Sequence, residues 1–389
     1  MVMAAKNKIL IQRLDLFNLM FAFYLSGIFF YDELPVLIPP RFPILDDVAF
    51  RIVGISYVGY LVGKWSVKIS TNYGLNSSTS ATTNYKYNVI VSLLFFVCTG
   101  LSLLFYNLNG FPILTIGSRA SELKLALTSG RSYGLTRIVY VLLPLVSLYS
   151  VAIILKRKSS TRLYLLVAVC TLLILFIGLF KGHIILYLIS LAIVYDKIRK
   201  RIKLGFRVFT FAIGVGLIAT IPIFLTEMQD FGEALLYMFN RLTLYSWEGL
   251  NLIVYKDLEP DFASQFQAFL SASHYDSPDI ILGRLYTSRS DASFAVVPTL
   301  FGFAFRNGGI LFCFLMFFLL GLVVQKVINS MVFTKNSLNF VVLTMFYFQL
   351  LKMMMVGNIF HDIRGPMLSL LIGFTLIRVS ETLVKTIDK

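Results

Sequence analysis

Apolar stretches of roughly 17 to 20 residues recur along the whole of this chain, each about long enough to cross the hydrocarbon of a bilayer as a helix. They fall at 15–31, 48–63, 88–106, 135–155, 163–180, 182–195, 206–225, 309–328, 338–356 and 366–384. Within 389 residues that are 57% hydrophobic, such runs cannot all be hidden in one soluble core. The mean hydropathy of +0.79 says the same, so lipid is the expected solvent. The reading is an all-α polytopic membrane protein of about ten transmembrane helices, forming a single integral membrane domain over 1–389. Phe180-Lys181-Gly182-His183 is expected to be the tight turn that separates two of the runs.

Residues Met1 to Phe30 carry Lys6, Lys8 and Arg13 ahead of an apolar run, as a signal peptide would. A small-residue cleavage site is missing and more spans follow, so a retained first helix is expected. Cys98, Cys170 and Cys313 lie far apart inside apolar runs, without metal-ligand spacing, and are expected to be packing residues.

Charge orients the runs, because Lys and Arg are retained on the cytoplasmic side. With the N-terminus inside, most of the 35 basic residues fall on that side, in clusters such as Lys156-Arg157-Lys158 and Lys197 to Arg207. Most of the 20 acidic residues fall opposite. The net charge of +15 is therefore mainly topology, and nucleic acid is not needed to explain it. An even number of spans puts both termini in the cytoplasm. Two outer segments exceed what a connection needs, 107–134 and 226–295, and the second contains an amphipathic stretch expected to form short helices on the membrane.

The informative cations are those outside, where the orientation rule gives no reason to keep them. Arg119, Arg131 and Arg137 lie in or beside the first long loop, and Arg241, Arg284 and Arg289 in the second. Lys181, Arg306 and Arg364 fall at outer helix ends, while Arg51 and Lys352 sit about one turn inside the same face. A cation at mid-bilayer costs about 2.5 to 3.5 kcal/mol, which favours these last two snorkelling outward to complete a cationic collar. Guanidinium groups bind phosphate oxygens bidentately at any working pH, which suits a membrane-anchored diphosphate. Pairing with outer carboxylates or lipid headgroups is the alternative for each.

All three histidines, His183, His274 and His361, fall on the outer side. An imidazole titrates near neutral pH and can take a proton from a hydroxyl. His274 has Tyr275 and Asp276 beside it, His361 precedes Asp362 in an expected short loop, and Glu248 is a rival base. Asp257, Glu259 and Asp261 could approach a divalent metal but lack a complete ligand set, as does Asp32-Glu33, so both read as solvated loop charge and no metal is expected. Gly-rich phosphate loops, nucleophile elbows and zinc spacings are absent from the sequence.

Gly110-Phe111-Pro112-Ile113-Leu114, followed by Gly117, Arg119, Gly130, Tyr133, Gly134 and Arg137, resembles the first long loop of the Wzy-type O-antigen polymerases, the oligosaccharide repeat-unit polymerases. Arg119 and Gly130 enclose ten residues, as in that family's Arg-x10-Gly element. Pro298 to Gly302 and Asn307-Gly308-Gly309-Ile310, leading to Gly321, look like the segment after its large periplasmic loop. The second loop does not repeat Arg-x10-Gly, and Lys181 and His183 stand where related proteins often show Arg.

The resemblance implies a GT-C-like, cofactor- and metal-independent glycosyltransferase of the bacterial inner membrane. It would join undecaprenyl-diphosphate-linked repeat units into O-antigen or capsular polysaccharide at the periplasmic face, with a chain-length regulator as a partner. Under it, Arg119, Arg241, Arg284 and Arg289 hold the donor diphosphate and His274 deprotonates the acceptor, with Arg131, Lys181, His183 and Arg306 as further substrate contacts. The competing functions are an O-antigen ligase, a lipid-linked oligosaccharide flippase and a structural subunit of an export complex.

Overall fold

The computed structural model describes residues 15–29, 46–67, 85–115, 133–156, 161–179, 181–199, 206–226, 230–243, 247–263, 299–356 and 359–387, with isolated positions at 123, 266, 282, 284 and 285. Among these the chain is helical throughout and contains no strand. The helices are α1 (Leu16–Phe29), α2 (Asp46–Ser66), α3 (Tyr85–Asn109), α4 (Tyr133–Arg137, Ile138–Leu142 and Leu143–Lys156), α5 (Thr161–Ile177) and α6 (Lys181–Arg199). They continue with α7 (Phe206–Thr226), α8 (Phe231–Thr243), α9 (Glu248–Tyr255), α10 (Thr299–Phe333), α11 (Ser337–Val356) and α12 (Ile359–Ile387).

Four helices are long and apolar enough to cross a membrane, over Val91–Asn109, Leu135–Lys156, Thr299–Phe333 and Ser337–Met355. Shorter apolar helices cover Leu16–Phe29, Leu165–Ile177, Gly214–Leu225 and Gly365–Ser380. α2 and α6 fall in neither set, and both carry charge inside the helix, Arg51 and Lys64 in one, Asp196 and Lys197 in the other.

The chain forms two compact units, one built from residues 1–71, 236–332 and 347–365, the other from 72–235, 333–346 and 366–389. In lipid, apolar burial gives helices little reason to associate, so close packing and hydrogen bonds must hold them. In the first unit the packing comes from glycine and aromatic rings. Gly59 and Gly63, one turn apart on α2, face the Phe314 and Phe318 carbonyls of α10, and Gly321 of α10 faces Tyr60 and Lys64 in return. A Cβ at any of the three would overlap backbone, so only glycine permits this approach. Beside the seam, Phe21 of α1 packs on Tyr60, Phe301 and Phe317, and Tyr24 packs edge-on against Trp247 and Phe301.

In the second unit α4 is the central helix, packed by α3, α5 and α6, and all but two of the residues from Leu143 to Lys156 are buried. Its polar staple joins three helices: the Thr171 hydroxyl of α5 donates to Ser147 of α4 at 2.8 Å, and Ser147 shares a 2.7 Å hydrogen bond with Tyr187 of α6. Basic residues at one end of this unit are engaged by the chain itself. Lys156 donates to the Lys335 carbonyl, Arg378 donates to the Asn339 side chain at 2.8 Å, and Lys197 lies over the Phe340 ring.

Several expected boundaries move. α10 starts at Thr299 rather than 309, because its first two turns fold before a break at Gly308 and Gly309. Gly309 takes φ 63°, ψ −155°, a backbone conformation that side chains other than glycine's resist. α12 starts at Ile359 rather than 366, so His361 and Asp362 are helical rather than in a loop. Pro366, which marks a boundary in the sequence, is accommodated inside that helix. The turn expected at residues 180–183 lies earlier, at Gly178 and Leu179, where Leu179 adopts φ 53° and its amide donates to the Phe176 carbonyl at 3.0 Å. Lys181 to His183 are then the first turn of α6.

Candidate functional site

The site in the second unit begins with a proline. Pro144 has no N–H for the Tyr140 carbonyl, and its ring crowds the preceding turn, so the α-helical ladder of α4 cannot run through it. The helix answers by widening: Ile138–Leu142 is a π segment, and the Leu143 amide bonds to the Ile138 carbonyl five residues back. Such single-turn π segments are concentrated at functional sites. The widened turn follows directly on Arg137, which is half-buried.

The π segment aims Tyr140 at two neighbours. Its hydroxyl lies 3.3 Å from the Tyr106 hydroxyl of α3, and its ring lies 4.5 Å, centroid to centroid, from the His183 imidazole of α6. Tyr106 also hydrogen-bonds the Gly178 backbone, which ties the α5–α6 turn to the same point. α3 stops here because Gly110 takes φ 97° while its amide still donates to the Tyr106 carbonyl at 2.8 Å. Pro112 then opens a single 3-10 turn, Pro112–Leu114, and Phe111 leans on the Tyr106 ring.

Lys181 and His183 both occupy the N-terminal turn of α6 and are half-buried. A cation there opposes the helix dipole, whose positive end is at the N-terminus, so these residues do not stabilise α6 through its dipole. His183 packs on Tyr140, while Lys181 shares the first turn of α6 with His183 and Arg137 lies one turn before Tyr140 on α4. An anion with several oxygens suits that chemistry.

In the first unit, Arg306 is held by the chain. Its Nε donates to the Glu259 carbonyl at 2.8 Å and its Nη1 lies 3.3 Å from Asp261 Oδ2. The Asp261 amide donates to Asn307 Oδ1 at 2.8 Å, and the Asn307 side-chain amide donates to the Phe303 carbonyl. The 257–261 turn is thus hooked onto the end of α10 just before its break, and Asp261 is an ion-pair partner rather than solvated loop charge. Arg284 is half-buried and lies two residues from Leu282, which packs with Leu252 and Ile253 of α9 and with Leu258 and Phe305. Arg284 and Arg306 therefore flank members of one apolar cluster.

Arg119, Arg131, His274 and Arg289 lie outside the described residues. Arg241 falls in α8 and His361 and Arg364 in α12, by their backbones. Arg51 is exposed on α2, and Lys352 is half-buried on α11. Among the described residues no group of three His, Cys, Asp or Glu side chains is placed to hold a metal ion.

Sequence reading passed over Tyr106 and Tyr140, whose one signal is a proline four residues after Tyr140 in an otherwise apolar helix. It also treated Asp15 and Lys64 as topology charges, whereas they form an ion pair with the Asp15 side chain wholly buried. No protein-family profile, curated protein or solved structure matches this chain.

Proposed function

We propose that this chain is a polysaccharide polymerase of the bacterial inner membrane. It would join undecaprenyl-diphosphate-linked repeat units without metal or nucleotide, as the resemblance of its first long loop implies. The observation that carries the reading is that Lys181 and His183 share the first turn of α6 and that His183 packs on Tyr140 of the π segment that follows Arg137. That arrangement supports an anionic oxygen-rich ligand, and a lipid diphosphate is one that a membrane protein meets.

In the proposed reaction the acceptor hydroxyl oxygen bonds to the anomeric carbon of the growing glycan. The bond from that carbon to the diphosphate oxygen breaks, and the electron pair leaves with the lipid diphosphate. Fixed cations stabilise the negative charge that develops there. By the resemblance, Arg119, Arg241, Arg284 and Arg289 are assigned to this leaving group and Lys181 to substrate binding. His274 takes the hydroxyl proton, and His183, packed on Tyr140, orients the site. Arg131 and Arg306 are assigned to binding, Arg306 by tethering the large loop through Asp261.

The test is a glycan ladder on a gel, from a deletion strain complemented with wild type, Lys181→Ala or Arg119→Ala at matched protein levels. A polymerase predicts single-repeat material in the deletion strain and in both variants. A ladder unchanged by deletion sinks the reading, and loss of even single-repeat attachment points to a ligase or a flippase.

A flippase has one observation in its favour, the Asp15–Lys64 ion pair inside the helices of the first unit. Deletion of a flippase would leave lipid-linked units on the cytoplasmic face, where an impermeant glycosidase applied to intact spheroplasts cannot reach them.

A further inference from the structure

Four basic residues distant in the sequence meet on one turn of the second unit. The turn runs from Lys335 to Phe340 and opens α11. Asn336 caps it, its Oδ1 accepting the Asn339 amide at 3.1 Å and its carbonyl the Phe340 amide at 3.0 Å. Lys156, the last residue of α4, donates to the Lys335 carbonyl at 3.2 Å. Arg378 of α12 donates to the Asn339 side chain at 2.8 Å, and the Lys197 ammonium of α6 lies 5.4 Å from the centre of the Phe340 ring. Lys335 itself is the fourth cation. Lys156 and Lys335 are exposed, Lys197 and Arg378 half-buried. Among the described residues the acids at this end of the same helices are Asp196 of α6 and, by its backbone, Glu381 of α12, so these cations outnumber them.

Retention of basic residues on the cytoplasmic side accounts for their number here but not for their meeting, since it acts on each loop separately. Cations at the C-terminal ends of α4 and α6 suit those helix dipoles, yet the same side chains are brought to the N-terminal turn of α11, whose dipole opposes them. Like charges gathered in this way repel, and an anion among them removes the repulsion. The surface of α12 shows what carries that anion. Leu370, Gly373 and Ile377 are buried, and Gly373 faces Leu142 and Leu145 of α4. Leu368, Leu371, Ile372, Leu376 and Val379 fall on the opposite face and are exposed. At the α-helical rise this stripe is about 16 Å long, close to the ~15 Å depth of one leaflet's hydrocarbon. Arg378 stands at its end, with its guanidinium over the Phe374 ring and hydrogen-bonded to Asn339. A face that is apolar over one leaflet's depth and cationic at its end matches a phospholipid with an anionic headgroup. A free phosphate engages the turn alone and leaves the stripe unexplained.

We infer that the Lys335–Phe340 turn, with Lys156, Lys197 and Arg378, binds the headgroup of one anionic glycerophospholipid whose acyl chains lie along the outward face of α12. By charge this end of the unit is cytoplasmic, so the lipid belongs to the inner leaflet, where anionic headgroups are met by basic pockets between helices. Its phosphate ties the ends of α4 and α6 and the side of α12 to the start of α11. The site does not depend on the polymerase reading, and its test uses no glycan assay.

The full-length protein in detergent is titrated with phosphatidylglycerol or, separately, with phosphatidylcholine of the same chains, and native mass spectrometry counts the bound lipid. The first phosphatidylglycerol is expected to bind at least about tenfold more tightly than the first phosphatidylcholine, each Lys or Arg beside an anionic lipid contributing about fivefold. Lys156→Gln/Arg378→Gln is expected to lower phosphatidylglycerol affinity at least about tenfold on the same scale and to leave phosphatidylcholine unchanged. Lys326→Gln, at an exposed lysine of α10 in the first unit, should alter neither. Lys335→Gln covers the case of a double variant that does not fold, because Lys335 meets Lys156 through its backbone carbonyl and its side chain is exposed. A loss of about fivefold is expected there. Glycerol 3-phosphate at millimolar concentration is the free-phosphate arm and should not displace the lipid. The inference is overturned if wild type binds the two lipids alike, or if the preference persists in Lys335→Gln and in the folded double variant. It is equally overturned if Lys326→Gln loses as much as they do, or if glycerol 3-phosphate displaces the lipid.

Discussion

Lys64 of α2 and Asp15, the residue before α1, form an ion pair in which the Asp15 side chain is wholly buried, and this decides what single substitutions do. Removing either partner leaves the other charge buried without compensation, a loss of about 3 to 5 kcal/mol in comparable pairs. Lys64→Ala should therefore lower thermal stability in detergent more than the double variant Asp15→Leu/Lys64→Met, which removes both charges. The check is a thermal-shift series over the two single variants and the double. Equal losses in all three would show that packing, and not charge, dominates at this position. Arg306 is a different case, because its partner Asp261 keeps 11% of its side chain exposed whereas that of Asp15 is wholly buried, so water screens the Arg306 pair more. Its backbone contact to Glu259 and the Asn307 hydrogen bond share the work of holding the 257–261 turn. Arg306→Ala is accordingly expected to lower global stability by no more than about 1 kcal/mol. The same variant should raise the rate of proteolytic cleavage in the 256–263 region. Limited proteolysis with mass mapping reads this directly.

At the scale of the helix, Pro144 is the residue that sets the geometry of α4. Proline inside a helix is unfavourable by about 3 kcal/mol relative to alanine. Pro144→Ala should therefore leave the protein as stable as wild type or more so, by thermal shift. It should also restore the regular ladder and turn Tyr140 away from His183. If the α4–α6 contact belongs to the active site, glycan chain length falls at least tenfold in the same variant. A stable Pro144→Ala protein with a normal ladder would detach the π segment from function. The α2–α10 seam makes the opposite kind of prediction. Gly63→Val pushes a branched side chain into the Phe318 backbone, where neither helix can yield without losing the Gly59 and Gly321 contacts. Overpacking of this sort typically takes about 1 to 3 kcal/mol or more. The expected outcome is a clear fall in the yield of monodisperse protein by size-exclusion chromatography, with Gly54→Val, which meets nothing, as the control.

For the molecule as a whole, the distribution of basic residues predicts both termini on the cytoplasmic side and residues 226–295 outside. A fluorescent protein fused after Lys389 should fluoresce, and alkaline phosphatase inserted near Asp230 should be active. Inactive phosphatase at Asp230 would invert the orientation on which the outer cations were chosen. The helical class was legible in the sequence, because length and apolarity of each run are local properties that lipid reads one segment at a time. Among the described residues helices overlie the apolar stretches, and four of them are long and apolar enough to cross a membrane. The ends of α10 and α12 were not legible. Whether Gly308-Gly309 ends a helix or breaks it, and whether Pro366 starts one or bends it, depends on what packs against those turns. The proposed site divides the same way. Lys181 and His183 stood out because nothing in topology requires basic residues there. Tyr140 became visible only when α3, α4 and α6 were side by side, and Asp15 only when α1 met α2 and α11. The sequence by itself determined an all-helical chain with spans that lipid can hold, since each helix satisfies its own backbone. Only the tertiary structure decided which polar side chains meet inside it, because those contacts join residues as far apart as Leu16 and Tyr347 and follow from packing, which no local pattern encodes.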